Sequence, residues 1–308
     1  MEIGKKIVQI IGPTGVGKSK IAIKLAKEIK GEIISADSIQ VYKDFDIGTD
    51  KISNKSMKGI PHFSIDIITD CSQFNASNFL NMSYKISEDI IKRGNVPIVC
   101  GGTALYLKTM INGIFPEKKE KKISREHLNK IVNTKGLEYL WDELSNIDPC
   151  YAKKIGKNDR IRIVRAMEIF YNNGIPPSKI FKQTQTPYKN YSFIRVGLTI
   201  QRNELYKNIE HRVERMIENG FVNEVKYLRS KYPLNCPPFK SIGYKEILMF
   251  LNNEIDFETA KKLIKQHSKN FAKRQLSWFR QEKDINWFTP ENFPDIEEFV
   301  KKSLWKDQ

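Results

Sequence analysis

The sequence predicts an α/β fold in which helices flank a parallel sheet. Three short apolar runs, at residues 6–11, 32–36 and 96–100, alternate with segments of helical periodicity. Apolar runs without polar alternation are typical of strands that are buried on both faces, as in a parallel sheet. Strands that alternate with helices predict a doubly wound α/β core.

The domain organisation follows from a fourth apolar run, at residues 193–199. It comes after a long stretch, 115–191, that is polar, lysine-rich and helical in pattern. A strand that returns after such a stretch favours an insertion over a second, sequential domain. We therefore predict a core of residues 1–114 and 192–308 and a mostly helical insertion at 115–191.

The first apolar run leads into a glycine-rich loop and then a helix, in which Ile21, Leu25 and Ile29 recur every fourth residue. Glycines let successive backbone N–H groups converge on an anion at a helix N-terminus. Lys18 adds a positive charge, and the Ser19 hydroxyl is a ligand suited to Mg²⁺. This pattern is the phosphate-binding loop (P-loop), an ATP-binding motif in many proteins. It predicts a P-loop NTPase-like core that binds a diphosphate or nucleotide through Gly12, Pro13, Thr14, Gly15, Val16, Gly17, Lys18 and Ser19.

Two further polar segments follow the next two strands of the predicted sheet. Asp37 and Ser38 come after the run at 32–36, and Gly101-Gly102-Thr103 comes after the run at 96–100. Ligands of open α/β sheets bind beyond the carboxyl ends of the strands. The P-loop and these two segments are therefore expected at one site.

Arg212 lies within the apolar stripe of a long helix that is predicted to extend from about residue 205 to 228. An arginine on an inward-facing stripe needs an anionic partner, because burying it unpaired is costly. The sequence leaves two partners open, a structural carboxylate and a bound anion.

The chain is strongly basic, with a formal net charge of +16 over 308 residues. Residues 153–195 hold ten basic and two acidic side chains, and residues 261–283 hold eight and one. In the second segment the basic residues alternate with Phe271, Trp278 and Phe279. Positive charge combined with aromatic rings suits unpaired RNA, although part of the excess is expected on ordinary solvated helix faces.

The four cysteines are scattered singly, without metal-ligand spacing. This pattern counts against a zinc site or a disulfide framework and favours a reducing cytoplasm. No apolar stretch is long enough to span a bilayer, so no membrane partner is expected.

Several ordered motifs together resemble the tRNA dimethylallyltransferase (tRNA isopentenyltransferase) family, in its short bacterial form. The resemblance extends over nearly the whole chain. Besides the P-loop, the matching motifs are Asp37-Ser38-Ile39-Gln40-Val41-Tyr42, Asp46-Ile47-Gly48-Thr49, Gly101-Gly102-Thr103, Arg165-Ala166-Met167-Glu168, Ser241-Ile242-Gly243-Tyr244 and Ala272-Lys273-Arg274-Gln275.

The resemblance implies transfer of a dimethylallyl group from dimethylallyl diphosphate to N6 of the adenosine next to the anticodon, tRNA position 37, with release of diphosphate. It also implies Mg²⁺ as cofactor, held through Ser19. Asp37 would then be the general base that accepts the N6 proton. Thr14 and Arg212 would act with the P-loop on the diphosphate.

By the same resemblance the tRNA anticodon stem-loop is the partner, and a monomer is expected. Thr103 is one of the implied RNA-binding residues, but the sequence leaves open that it only caps a helix. Arg162 and Arg165 are expected to bind phosphates of the RNA. The implied RNA-binding residues are Asp37, Ser38, Ile39, Gln40, Thr103, Ile161, Arg162, Ile163, Val164, Arg165, Phe239, Lys240, Ser241, Ile242, Gly243 and Tyr244.

Three alternatives stay open. An isopentenyltransferase acting on free AMP, ADP or ATP would need the same loop and carboxylate, but not the basic segments. A nucleotide kinase would use Asp37 to organise a metal and the insertion as a lid. An RNA-binding module without catalysis would not need Lys18, Ser19 and Asp37 intact.

Overall fold

The computed structural model describes residues 5–115 and 122–305. The chain forms two compact units, one of Met1–Ile111 with Tyr188–Gln308 and the other of Asn112–Pro187. The second unit and the predicted insertion at 115–191 share residues 115–187.

A parallel sheet forms the centre of the first unit. Within the described residues it has six strands, in the order β3-β2-β4-β1-β5-β6, and every neighbouring pair is parallel. The predicted α/β class is confirmed, and the four predicted strands match within one residue at each end. The strands are β1 (Lys6–Ile11), β2 (Gly31–Ala36), β3 (His62–Phe63), β4 (Val96–Gly101), β5 (Ser192–Leu198) and β6 (Asn286–Phe288).

The helices surround the sheet and build the second unit. None of them, in the part of the chain that the structure describes, is both long and apolar enough to cross a membrane. In chain order they are α1 (Lys18–Ile29), α2 (Asn54–Met57), α3 (Ala76–Lys92), α4 (Ala104–Asn112), α5 (Arg125–Lys135), α6 (Leu137–Ile147), α7 (Pro149–Ala152), α8 (Arg160–Asn173), α9 (Pro177–Ile180), α10 (Arg202–Glu218), α11 (Phe221–Lys231), α12 (Tyr244–Leu251), α13 (Phe257–Phe279) and α14 (Phe293–Trp305), with a 3₁₀ turn at Pro237–Lys240.

The register of the strands sets where their loops begin. Ile11 at the end of β1 pairs with Gly101 in β4, and Gly101 pairs with Ala36 at the end of β2. The loops that follow these three strands therefore start at the same edge of the sheet. Under this edge, Ile21, Leu25 and Ile29 of α1 are buried against the strands, as the periodicity predicts. Each such burial contributes about 1.5–3 kcal/mol.

The single long helix predicted from 205 to 228 is wrong. The chain breaks between α10 and α11 at Gly220, which has φ +91°, in the left-handed region. Glycine reaches this region without steric cost, and it commonly ends helices there. Both helices keep their apolar stripe on a buried cluster, which is why the pattern continues across the break.

The expectation that the cysteines stay unpaired is also wrong for two of them. Cys71 and Cys236 form a disulfide, with Cα atoms 5.1 Å apart, although 165 positions separate them in sequence. Both lie in the cluster around Phe45 and Phe239, and that packing brings two distant loops together. Cys100 and Cys150 are free, the first buried and the second exposed.

The second unit is helical, with α5, α6 and α8 packed around buried leucines and isoleucines such as Leu128, Leu140 and Ile163. Asp148 accepts hydrogen bonds from the Tyr151 and Ser178 amides, at 3.0 and 2.6 Å, and so joins α7 to α9. The two ends of the unit meet in an antiparallel bridge between Ile114 and Gln185.

Candidate active site

A cavity of about 1030 Å³ opens at the carboxyl ends of β1, β2 and β4. The P-loop and the two polar segments that follow β2 and β4 therefore meet at one cavity, as predicted. The predicted site residues and strand-end loop residues that line it are Thr14, Gly15, Gly17, Lys18, Ser19, Asp37, Ser38, Ile39, Gln40, Gly101, Gly102, Thr103, Arg212, Lys240, Ser241, Ile242 and Gly243.

The glycine-rich loop joins β1 to the first turn of α1. Gly17 immediately precedes the helix with φ +92°, a conformation that an L side chain rarely adopts. The Lys18 ammonium folds back over the loop and donates to the Pro13 carbonyl at 2.7 Å. A helix N-terminus with free N–H groups and a lysine beside it is an anion-binding arrangement.

Lys18 has an unusual protonation equilibrium. Burial lowers its pKa to about 8, and the positive charge of Arg212 acts in the same direction. Burial also raises the pKa of the nearby Cys100 thiol to about 11, so this group stays neutral. Lys18 is thus partly deprotonated at neutral to mildly basic pH, unless an anion is bound beside it.

Asp37 follows β2 directly, and only one of its carboxylate oxygens is used structurally. Oδ1 accepts hydrogen bonds from the amides of Ile39 and Gln40, at 2.8 and 3.1 Å. This turn fixes the direction of the carboxylate. No described residue hydrogen-bonds Oδ2, so that oxygen can accept a proton from a molecule bound in the cavity.

The Gln40 side chain is already engaged. Its Oε1 accepts from the Ser35 hydroxyl at 3.1 Å, and its Nε2 donates to the Thr49 carbonyl at 3.2 Å. Gln40 therefore ties the Asp37 turn to the loop that carries Thr49.

Arg212 of α10 reaches into the cavity. The sequence left open whether its partner is a structural carboxylate or a bound anion, and the structure shows that it does have a carboxylate partner. Its Nε lies 3.0 Å from Asp50 Oδ2, at ion-pair distance but without an aligned hydrogen bond. Its Nη1 donates to the Thr14 hydroxyl, and Nη2 donates to the Thr49 carbonyl at 3.2 Å. Asp50 is more than half exposed, so this pair is a weak one that an incoming anion can replace.

Gln275 of α13 was not among the predicted site residues. Its Oε1 accepts from the Thr14 amide at 2.9 Å, and its Nε2 donates to the Gly102 carbonyl at 2.8 Å. One buried amide thus connects the P-loop to the loop after β4. The motif Ala272-Lys273-Arg274-Gln275 carried the only sequence signal for this role.

The segment from Phe239 to Tyr244 is divided between the core and the cavity. The rings of Phe239 and Tyr244 are buried beside Phe45, so only their backbone atoms could reach an RNA. The four residues between them line the cavity. Thr103, which precedes α4, lines the cavity as well, while its carbonyl accepts the first helical hydrogen bonds.

The remaining predicted RNA-binding residues lie on α8, in the second unit. Ile161 is 83% exposed, whereas Ile163 and Val164 are buried in that unit's core. Arg162 is near Asp159, and Arg165 donates to Glu168 at 2.5 Å. The first turn of α8 therefore exposes Ile161 and Arg162, whereas Arg165 lies one turn further along and is paired with Glu168.

Comparison with known proteins agrees with this architecture. Residues 40–282 match the model of the family described as IPP transferase. The chain belongs to the IPP transferase family. The tRNA dimethylallyltransferase of Halothermothrix orenii is 43% identical to it over 284 residues, which are 92% of this chain and 87% of that protein. The corresponding protein of a Thermoanaerobacter species is 41% identical over 98% of this chain and 96% of its own length.

Solved structures of IPP transferases share the fold. The full-length tRNA isopentenylpyrophosphate transferase of Bacillus halodurans has a TM-score of 0.72 at 35% identity, over 98% of this chain and 97% of its own. A eukaryotic dimethylallyltransferase acting on tRNA has a TM-score of 0.79 at 32% identity, over 92% of this chain and 73% of that one. The family resemblance stated from the sequence is confirmed.

Proposed function

We propose that this IPP transferase transfers a dimethylallyl group from dimethylallyl diphosphate to N6 of the adenosine that follows the tRNA anticodon, position 37, and releases diphosphate. The observation that supports this reaction is the meeting, in one cavity, of the P-loop, the Asp37 carboxylate and the Arg212 guanidinium. Together these groups can bind an anionic leaving group and accept a proton from the nucleophile.

The chemistry assigns a role to each group. The exocyclic N6 is a weak nucleophile that must lose a proton as its bond to the allylic carbon forms, and Asp37 Oδ2 is free to accept it. Charge develops on the departing diphosphate as the carbon–oxygen bond breaks. The loop amides, Lys18, the Thr14 hydroxyl and Arg212 would stabilise that charge, and Arg212 would exchange Asp50 for the diphosphate.

The donor set suits Mg²⁺ as the cofactor. The Ser19 hydroxyl, a hard oxygen donor, lines the cavity together with the P-loop, and the oxygens of a bound diphosphate would supply further ligands of the same kind. Among the described residues no group of three or more His, Cys, Asp or Glu could hold a metal alone. That agrees with Mg²⁺, which usually takes one or two protein ligands together with substrate phosphates. When bound there, it would neutralise part of the diphosphate charge.

The polyanionic partner we propose is the anticodon stem-loop of tRNA. The target adenosine is stacked within that loop, so it must leave the stack to enter the cavity. Asp37, Ser38, Thr103 and the segment 240–243 line the cavity that would receive it. Arg162 and Arg165 on α8 would bind phosphates, which fix the position of the RNA without reading its sequence.

We further propose that the protein acts as a monomer in the cytoplasm, where tRNA is modified. In that compartment the Cys71–Cys236 pair would be reduced for most of the time. Its cross-link is then a property of the oxidised protein.

The experiment that tests the proposed function supplies the protein with Mg²⁺, dimethylallyl diphosphate and unmodified tRNA. Mass spectrometry of the digested nucleosides detects N6-dimethylallyladenosine. The matched control is the same tRNA with guanosine at the target position, and AMP is a parallel acceptor. We expect product on the adenosine-bearing tRNA only. Product on AMP alone would indicate the free-nucleotide enzyme, and ATP turnover without alkyl transfer would indicate a kinase.

A further inference from the structure

The loop from Asp46 to Asp50 holds two of the groups that position the site from outside the P-loop. The Thr49 carbonyl accepts from both Arg212 and Gln40, at 3.2 Å each. Asp50 provides the carboxylate partner of Arg212 at 3.0 Å. A displacement of this loop would therefore move the guanidinium and release the tie to the Asp37 turn.

A single carboxylate holds the first half of this loop. The Glu224 carboxylate of α11 accepts hydrogen bonds from the backbone N–H groups of Asp46, Ile47 and Gly48, at 3.1, 2.6 and 3.1 Å. It also accepts the Tyr244 hydroxyl at 2.6 Å. Successive N–H groups that converge on one anion form an anion-binding concavity, here filled by a side chain of the protein itself. Glu224 is not among the residues that line the cavity.

The side chains packed against Gly48 restrict the position of the loop. A Cβ atom on Gly48 would lie 2.2 Å from Phe221 Cε2 and 2.5 Å from Tyr244 Cε2. The loop therefore rests directly on two buried aromatic rings, one of which is hydrogen-bonded to the same carboxylate. Burial, followed by the charge of Glu224, raises the pKa of Tyr244 far above its ordinary value, so its hydroxyl remains a donor.

A carboxylate is needed at this position because four donors face it. Its two oxygens can accept four hydrogen bonds, whereas a glutamine offers one acceptor oxygen and turns an NH₂ group toward N–H donors. The helix does not depend on the charge, since Phe221, Val225 and Leu228 anchor it in the core. A substitution of Glu224 should therefore change the loop and leave the fold in place.

We propose that Glu224 is a positioning residue of the diphosphate site, which acts through the loop 46–50 on Arg212 and Gln40. The inference rests on the proposed function for the nature of the ligand, but not for the position of the loop. A second support limits how far the loop can move. Lys51 donates to the Tyr42 carbonyl and to the carboxylates of Asp46 and Asp66, at 2.9, 2.6 and 2.6 Å.

The first test measures the loop without any ligand. Hydrogen exchange of peptides covering residues 43–52 is compared between wild type, Glu224→Gln and the control Glu298→Gln, an exposed residue of α14. We expect the Asp46, Ile47 and Gly48 amides to exchange about tenfold faster in Glu224→Gln, while the melting temperature and the remaining peptides stay close to wild type. Unchanged exchange, or faster exchange across the whole chain, would overturn the proposal.

The second test measures coupling to Arg212, with inorganic pyrophosphate as the probe in titration calorimetry. We expect Glu224→Gln to weaken binding about tenfold in the wild-type background and less than about twofold in the Arg212→Ala background. If Glu224 had a purely structural role, the substitution would weaken binding equally in both backgrounds. That result would overturn the inference about Glu224 and leave the proposed function in place. If wild type does not bind pyrophosphate, the proposed function fails and this inference fails with it.

Discussion

At the scale of single residues, the two oxygens of Asp37 differ in their contacts. Oδ1 holds the turn to Ile39 and Gln40, and Oδ2 is available to a bound base. Asp37→Asn keeps the first oxygen and removes the proton acceptor. We expect single-turnover transfer to fall about 10²–10⁴-fold, while pyrophosphate and tRNA affinities stay within about twofold. Transfer at the wild-type rate would remove Asp37 from the role of base.

We expect the proposed binding of diphosphate to depend on pH through Lys18. Because its pKa is about 8, Lys18 loses its positive charge in the free site as the pH rises, and an anion that binds to the charged form must then take up a proton. We expect pyrophosphate affinity to fall by about tenfold between about pH 7 and about pH 9. The charge of Lys18→Arg persists over this range, so this variant corrects for titration of the ligand itself. Identical profiles for the two proteins would contradict the assignment.

At the scale of elements, the break between α10 and α11 depends on Gly220. Its φ of +91° is strained for other residues, and an added Cβ would meet no atom within 4 Å, so any cost is conformational. We expect Gly220→Ala to lower the free energy of unfolding by about 1–2 kcal/mol in urea titrations. Gly156→Ala is the matched control, because its Cβ also meets open space and its φ is not left-handed. Equal stability of the two variants would contradict the argument.

At the scale of the whole molecule, the Cys71–Cys236 link joins two loops that are 165 positions apart. A cross-link that closes so long a loop restricts the unfolded chain and stabilises by about 2–4 kcal/mol. Without reductant we therefore expect Cys71→Ser, a substitution at the partly buried end of the link, to unfold at lower urea concentration than wild type, and with reductant to unfold at about the same concentration. Cys150→Ser, the exposed free thiol, should match wild type in both buffers. Four free thiols in the unreduced wild type would contradict the cross-link.

How far the sequence predicts this molecule depends on the range of each interaction. The strands of the core were predictable because apolar residues dominate their runs: in β1, Ile7, Val8, Ile10 and Ile11 are fully buried, and Gln9 alone interrupts them. The P-loop was predictable because its residues are contiguous. β3, with two residues, is too short for any periodicity. The helix break at Gly220 did leave a local signal, Asn219-Gly220, but the continuing apolar stripe concealed it.

The residues that hold the site together were not predictable, since their partners are remote. In the sequence Glu224 resembles a solvated helix residue, yet the amides it accepts are 176 to 178 positions away. Gln275 and Thr14 are 261 positions apart. Such pairs arise only from the packing of whole elements, which no local pattern records. The sequence thus predicts the residues that line the cavity better than the residues that hold them in position.

The bridge between Ile114 and Gln185 has a consequence for the order of folding. Loop-closure entropy grows only with the logarithm of loop length, and here the two ends of the inserted stretch are already joined by hydrogen bonds. Once that bridge has formed, the connection between β4 and β5 is shortened to α4 and the residues 186–191, because the stretch between the bridged residues no longer adds to it. The residues between Ile114 and Gln185 then do not slow the alignment of β5 beside β1. That stretch could therefore vary in length among relatives at little cost to the rate at which the sheet forms.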